Sequence, residues 1–522
     1  MAGAKNTAKV QIFLALAVFF CLLAGVIIYR YTKNNMDDKT LRVSFSSLKP
    51  LSRHDPLKIF YAVDYVLLEN LYSPLIQYAP DGELVSAIAE KFEWEGTEAV
   101  FTMRNGLRTI DGRKIDGFDV EQTFKRMLII GGNAHGDLRD MLCPGVIMKT
   151  MNDSCPGIMV RDGGRKFVMK FLEKKPFLFP MLASIDFAII PRESLDKATL
   201  AINDFRNTSG PYYVEKESPE GTIDLVANPA HFAYREKMPQ RVSLVRVDNR
   251  DMKKPLELFS EGKVDHIPTV DLMPADVKIN YARGHKDVNL HETYPLRVMF
   301  VIFTKKGLAT LSEKERMQIG TNLRHIFFSR RGDLPGYERA EQVFSLDGAL
   351  PESEMEEIRK RFKSVGGPAV IKKKMLAWNL NEYFKDEVGD VKALFPNTES
   401  VSSGKITALV NFEKEGITEP EFYIFRTDTG FHEDIGLLSY YFTINLFDLE
   451  PTKKQAWLKN YTATGDKGQR MEMLKKLHYR ILSEAIVIPI SITPYTSLLR
   501  KPWSFDFSKL HANNPLWRIH LD

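Results

Sequence analysis

Cysteine is scarce: three among 522 residues. That excludes a small disulfide-stapled scaffold, and the spacing of Cys143 and Cys155 excludes a CxxC redox or zinc signature. Excess charge is also lacking. Against 67 acidic residues stand 72 Lys and Arg, a net +5, too weak a field to argue for nucleic acid, and no basic run is interleaved with aromatics. Catalytic signatures are missing too. There is no HExxH, GxSxG, Walker-A or GxGxxG pattern, and the loop at residues 131–136 has no Lys-Ser/Thr to cradle phosphate. Ser46-Ser47-Leu48-Lys49 matches SxxK, but neither SDN nor KTG follows it. The eleven histidines are scattered. The expectation is a chain that is not an enzyme and has no metal, no cofactor and no nucleic-acid partner.

Long apolar runs are confined to one place. Residues 12–29 form an uncharged run of 18 residues between Lys9 and Arg30, long enough to cross a bilayer. A cleaved signal has a shorter apolar stretch and small residues at its cut site. Neither Leu22-Leu23-Ala24 nor Ala24-Gly25-Val26 provides them, so a retained transmembrane signal-anchor is expected. Cys21 follows Phe19 and Phe20 rather than the small residues of lipoprotein processing, which favours a membrane-buried thiol. Lys5 and Lys9 precede the run while Arg30 and Lys33 follow it, so charge alone does not orient it.

Beyond the anchor the chain is too long for a single core, and two or three lobes are expected. Cys143 and Cys155, each followed by Pro-Gly, leave two readings open. In an oxidising compartment they are disulfide candidates whose short loop would contribute roughly 3 kcal/mol; otherwise they are two partly buried thiols.

Strands alternate with helices, which points to an α/β fold. The first strand is expected at 41–46. Residues 178–190 and 223–226 read as buried strand, 242–247 alternates, and 296–304 is a longer apolar run suited to a central or crossing strand. Helices are expected at 315–328 and 352–361, and Lys372, Lys373 and Lys374 read as a solvated face.

The most informative stretch is 81–127. Asp81-Gly82 is a turn, 87–92 and 99–104 make a short sheet unit, and Asp111-Gly112 is a second turn. Asp116 can cap the next helix, with Asp119 at its third position near the positive end of the dipole, and Val120, Phe124, Met127 and Leu128 share one face. This order resembles the peptide, nickel and oligosaccharide binding family of ABC importers, the family 5 extracytoplasmic solute-binding proteins. Gly82, Ala89, Glu90, Phe92, Phe101, Arg104, Gly106, Leu107, Asp111, Gly112, Asp119 and Val120 stand where that family's pattern has them. Further similar segments are His54-Asp55-Pro56, Leu71-Tyr72-Ser73-Pro74-Leu75, Thr208-Ser209-Gly210-Pro211-Tyr212, residues 223–228, Glu261-Gly262-Lys263-Val264-Asp265 and residues 471–490. The resemblance spans roughly 41–522, with a weak middle at about 332–404.

What the resemblance implies is a type II periplasmic-binding-protein fold of two hinged lobes. A cytoplasmic segment 1–11, the anchor 12–29 and a linker 30–40 precede lobe I at 41–294, which carries an extra subdomain at about 78–185. Lobe II follows at 295–492, and 493–522 returns to lobe I. The implied function is capture of a peptide or related small solute and its delivery to an ABC permease by a monomer anchored on the outer face of a bacterial inner membrane. The alternative is a sensing module that reports to a membrane partner.

In peptide-binding relatives an Asp on a second-lobe loop pairs with the ligand's ammonium, and Asp428 matches it, after a strand at 422–425 and before a helix at 434–441. A turn-forming Asp ahead of Gly430 explains the residue equally well. Arg426, where the family often has Gly-Trp nearby, could neutralise Asp428 or hold a ligand carboxylate. Thr304 replaces a frequent Asn, and Ser46, at the end of the first strand, completes the ligand-binding candidates.

Overall fold

The structure, a computed structural model, describes residues 40–59, 62–131, 136–248, 251–271, 273–401, 412, 416–430 and 435–522. The apolar segment 12–29 lies outside the described residues. Among the described residues, no helix is long and apolar enough to cross a membrane.

One eleven-stranded sheet runs through two α/β lobes. Its axis is a pair of long antiparallel strands, Val288–Phe303 and Val487–Arg500, which cross between the lobes in opposite directions. In the first lobe, His266–Ile267 pairs with Leu498 and Leu499. Thr40–Phe45 and Arg241–Arg246 then run parallel, and Ile223–Ala227 and Tyr212–Glu217 finish the edge in antiparallel pairing. In the second lobe the strand Val288–Phe303 pairs instead with Phe422–Asp428, beyond which Met375–Trp378 and Thr398–Val401 lie parallel.

Between these two neighbourhoods the ladder breaks. Pro295 faces Pro494, with register shifts on both sides. Neither proline has an amide hydrogen to donate, so hydrogen bonding lapses where the chain passes from lobe to lobe.

The apolar run at 296–304 reads as continuous because both of its faces are covered. Val298, Phe300 and Ile302 pack with Tyr423 and Phe425 on one side; Met299, Val301 and Phe303 pack with Phe422 and Ile424 on the other. The first-lobe core gathers Leu41, Val43, Phe45, Leu225 and Leu244 together with Leu499, Trp503, Leu516 and Ile519 from the chain's end.

A third core belongs to residues 75–189. A four-stranded antiparallel sheet, in the order Ala89–Glu95, Glu98–Met103, Lys166–Lys170 and Ile158–Arg161, carries the helix Gly117–Ile130. Asp116 and Asp119 form the capping box that starts this helix, and its Phe124 stacks on Phe167 at 5.5 Å. Cys143 and Cys155 are joined by a disulfide buried in the same core, with their Cα atoms 5.1 Å apart.

One element differs from expectation. Residues 178–190 are not strand: Leu178–Leu182 is a short helix and Ile185–Phe187 a 3-10 turn. Pro180 has no N–H for a ladder, and the run is apolar because two cores share it, Leu178 and Met181 lying in one and Ile185 and Ile190 in the other. Elsewhere helices occupy Glu313–Arg331, Glu352–Lys363 and Lys467–Ser483.

Candidate functional site

A cavity of about 210 Å³ opens between the lobes. The helix Tyr65–Leu71 supplies its first wall. Val66, Leu67, Leu68 and Leu71 turn into the core, whereas Tyr65 and Glu69, one helical turn apart, and Tyr72 just beyond the end face the cavity. The chain then turns at Ser73 and Pro74. Gly210 permits that turn, because its N–H donates to Leu71 O at 2.8 Å and a Cβ there would lie 2.5 Å from the Leu71 carbonyl carbon. Ser73 is locked from behind by His231. Ala233 N–H donates to His231 Nδ1 at 3.1 Å, so Nε2 carries the hydrogen and donates to Ser73 Oγ at 3.1 Å.

Pro180, Ser184 and Ile185 form a second side, and the C-terminal segment from Leu510 to Arg518 forms a third. That segment is pinned by Ser508 Oγ donating to Pro80 O at 2.8 Å and by Arg518 donating to Tyr78 O at 2.5 Å. From the second lobe come Asp428, at the end of Phe422–Asp428, and Leu437, on the helix Ile435–Thr443 that packs against Leu178–Leu182.

Ionisable groups of both signs line the cavity, Glu69, Asp428 and Arg518. Glu69 and Asp428 reach the same cavity from opposite lobes. Burial pushes the Glu69 carboxyl up to about 8, with Arg518 pulling the other way. Tyr72 OH and Asn513 Oδ1, on two of the lining residues, are buried without a hydrogen-bond partner among the described residues. A pocket of apolar and aromatic wall with a few polar anchors suits a small organic solute.

The four residues singled out in the sequence do not converge. Asp428 is in the cavity, and it also makes the turn: Gly430 N–H donates to its Oδ1 at 2.7 Å. Arg426 lies two residues away on the same strand face but outside the cavity wall. Thr304 stands at the far end of the paired strands, about 20 Å from Asp428 at a strand's rise per residue. There its hydroxyl accepts from Gly307 N–H and donates to Pro420 O at 2.5 Å, capping a helix. Ser46 is buried just past Thr40–Phe45 and is not part of the wall. Lys49 of the SxxK match holds Asp64 at 2.5 Å, which binds the ammonium in an ion pair. Glu69, Asn513 and Arg518 escaped the sequence reading, and Tyr72 entered it only within the segment Leu71-Tyr72-Ser73-Pro74-Leu75.

No family model matches the sequence, and no curated protein does. Solved structures match its fold. The murein tripeptide binding protein MppA of Escherichia coli is 12% identical with a TM-score of 0.67, covering 92% of this chain and 98% of its own. A dipeptide binding protein from Pseudoalteromonas sp. SM9913, in complex with Met-Leu, is 13% identical with a TM-score of 0.68, covering 92% and 100%. NikA from Brucella suis, in complex with Fe(III)-EDTA, is 14% identical with a TM-score of 0.71, again covering 92% and 100%.

Proposed function

We propose that the chain is an extracytoplasmic solute-binding protein of the family 5 class, which captures a peptide or related small solute between its lobes and delivers it to an ABC importer. The single observation that carries this is the interlobe cavity, built from both lobes and presenting an acidic side chain from each. An ammonium entering it would meet Asp428, and a charge-assisted contact offsets its desolvation, while the Glu69 carboxyl, kept protonated by burial, offers a hydrogen bond. The proteins that share the fold at TM-scores near 0.7 include a murein tripeptide binding protein, a dipeptide binding protein in complex with Met-Leu and NikA in complex with Fe(III)-EDTA, which supports a binding role rather than turnover. Residues 12–29 tether the protein to the membrane with its body outside.

Solute acts by differential affinity. It draws the lobes toward the closed arrangement only as far as it binds that arrangement better, and the permease reads the closed form. The test is to purify the full chain in mild detergent, identify any retained small molecule by mass spectrometry, and melt the protein with di- to penta-peptides. A bound solute raises the melting temperature. No shift at millimolar peptide, with no retained solute, would remove peptide delivery.

A further inference from the structure

The polar part of the cavity wall is mostly uncharged. Gln77, Ser184 and Asn513 bring amide and hydroxyl groups to it, and Asn513 Oδ1 has no partner among the described residues. Glu69 stands in the same wall, one helical turn from Tyr65 on the helix Tyr65–Leu71. Its carboxyl makes no hydrogen bond and no ion pair with another described residue.

Arg518 is the positive charge beside it, and that guanidinium gives one N–H to Tyr78 O. The other titratable groups lining the cavity are Tyr65 on the same helix, Tyr72 just beyond it, Tyr78 and His511 with their rings 5.1 Å apart, and Asp428 from the second lobe. Of all these, Arg518 alone pulls appreciably on the Glu69 proton, and burial outweighs that pull, raising the carboxyl to about 8. At neutral pH Glu69 is therefore an acid that keeps its proton.

Such a group carries an O–H donor with an acceptor oxygen beside it. A hydroxyl or a primary amide matches that pair, because each gives and takes hydrogen bonds from one side. A trans peptide unit points its N–H and C=O in opposite directions, and a second ammonium would find donors unanswered by any counter-charge. Resting on the solute-binding reading, we infer that Glu69 is a specificity-determining residue of the cavity, and that the solute carries a hydroxyl or primary amide which the Glu69 carboxyl meets with one donated and one accepted hydrogen bond. An analogue without that group leaves a polar wall residue unpaired, which is how a single side chain discriminates.

The test melts full-length protein in detergent with millimolar alanyl-glutamine, alanyl-lysine or D-glucose, comparing the parent with Glu69→Gln and Glu69→Leu at about pH 7 and about pH 9. The expected result at the lower pH is a rise of several degrees with alanyl-glutamine or glucose and a smaller one with alanyl-lysine. Glu69→Leu abolishes the rise, and Glu69→Gln, which still offers a donor and an acceptor, retains part of it. Raising the pH ionises Glu69, so the parent loses more of its rise than Glu69→Gln does, the titrating group being gone from the variant. A rise with alanyl-glutamine assigns an amide; a rise with glucose alone assigns a hydroxyl and ends the peptide reading while supporting this one. An undiminished rise in Glu69→Leu, a preference for alanyl-lysine, or an equal loss with pH in the parent and Glu69→Gln overturns the role of Glu69 and leaves a solute-binding protein. Should Glu69→Leu fail to fold, the pH comparison with Glu69→Gln decides. No rise with any of the three probes also overturns it, whatever solute the purified protein retains.

Discussion

Lys278 Nζ lies 2.5 Å from Asp271 Oδ1, and neither side chain is more than 3% exposed. The ammonium also donates to Thr496 O at 2.6 Å, on one crossing strand, and to Pro268 O at 3.1 Å. Burial raises the Asp271 carboxyl and lowers the Lys278 ammonium, so each ion depends on the other. Lys278→Met leaves a buried carboxylate and should cost about 3–5 kcal/mol, whereas Lys278→Met with Asp271→Leu should recover much of that. Urea unfolding of the single and double variants checks this; equal losses in both would show that the pair is not coupled.

Five histidines are held neutral by burial, and His478 is the plainest case. Val343 N–H donates to its Nε2 at 3.0 Å while its Nδ1 donates to Gly348 O at 2.9 Å, leaving no site for a second proton. Its pKa falls from the ordinary 6.5 to about 4, and His54, His231, His266 and His291 fall similarly. Unfolded chains take up these protons below pH 6.5 and the folded protein does not, so stability drops as pH falls from 6.5 toward 4. Each such histidine contributes about 3 kcal/mol to that drop. Stability measured by urea at successive pH values should slope less in His478→Gln than in the parent, after allowing for its lower overall stability.

The Cys143–Cys155 bridge closes a twelve-residue separation inside the subdomain core. Cys143→Ser with Cys155→Ser should lower stability by roughly 3 kcal/mol. Thermal melts with and without reductant should differ for the parent and coincide for the double variant.

Gly210 has no room for a side chain against the Leu71 carbonyl. Gly210→Ala should therefore destabilise the first lobe and loosen the Ser73 wall, whereas Gly106→Ala, where nothing lies within 4 Å, should show only the smaller cost of its positive φ. Comparing the two melting temperatures tests this, and a Gly210→Ala protein as stable as Gly106→Ala would contradict it.

If Asp428 receives an ammonium, Asp428→Asn should weaken free-amine peptides about tenfold or more and N-acetylated ones less. Calorimetric titration of both forms separates them. Equal weakening would assign Asp428 to the Gly430 turn alone.

What the sequence disclosed follows from how local each signal is. The Asp116 cap and the helix after it were legible because capping chemistry lies within four residues. The crossing strand at 296–304 was legible because burial on both faces leaves an unbroken apolar run. Residues 178–190 gave the same apolar signal yet fold as short helical turns, since two cores share them and Pro180 bars a ladder. The cavity was mostly hidden: Glu69 and Arg518 meet only through the long return of the chain, and no local pattern records that meeting. Thr304 was read as a ligand-binding candidate, but its hydroxyl closes a helix end at the opposite extreme of the strand.

The segment from Leu510 to Arg518 follows both lobes in chain order, yet it supplies one side of the cavity. A nascent polypeptide can assemble nearly all of its cores before this last stretch leaves the ribosome, and until then it has nowhere to keep cargo. Competence to load thus arrives at the end of synthesis, and an early stop codon near residue 508 would remove that wall together with Leu516 and Ile519 from the first-lobe core.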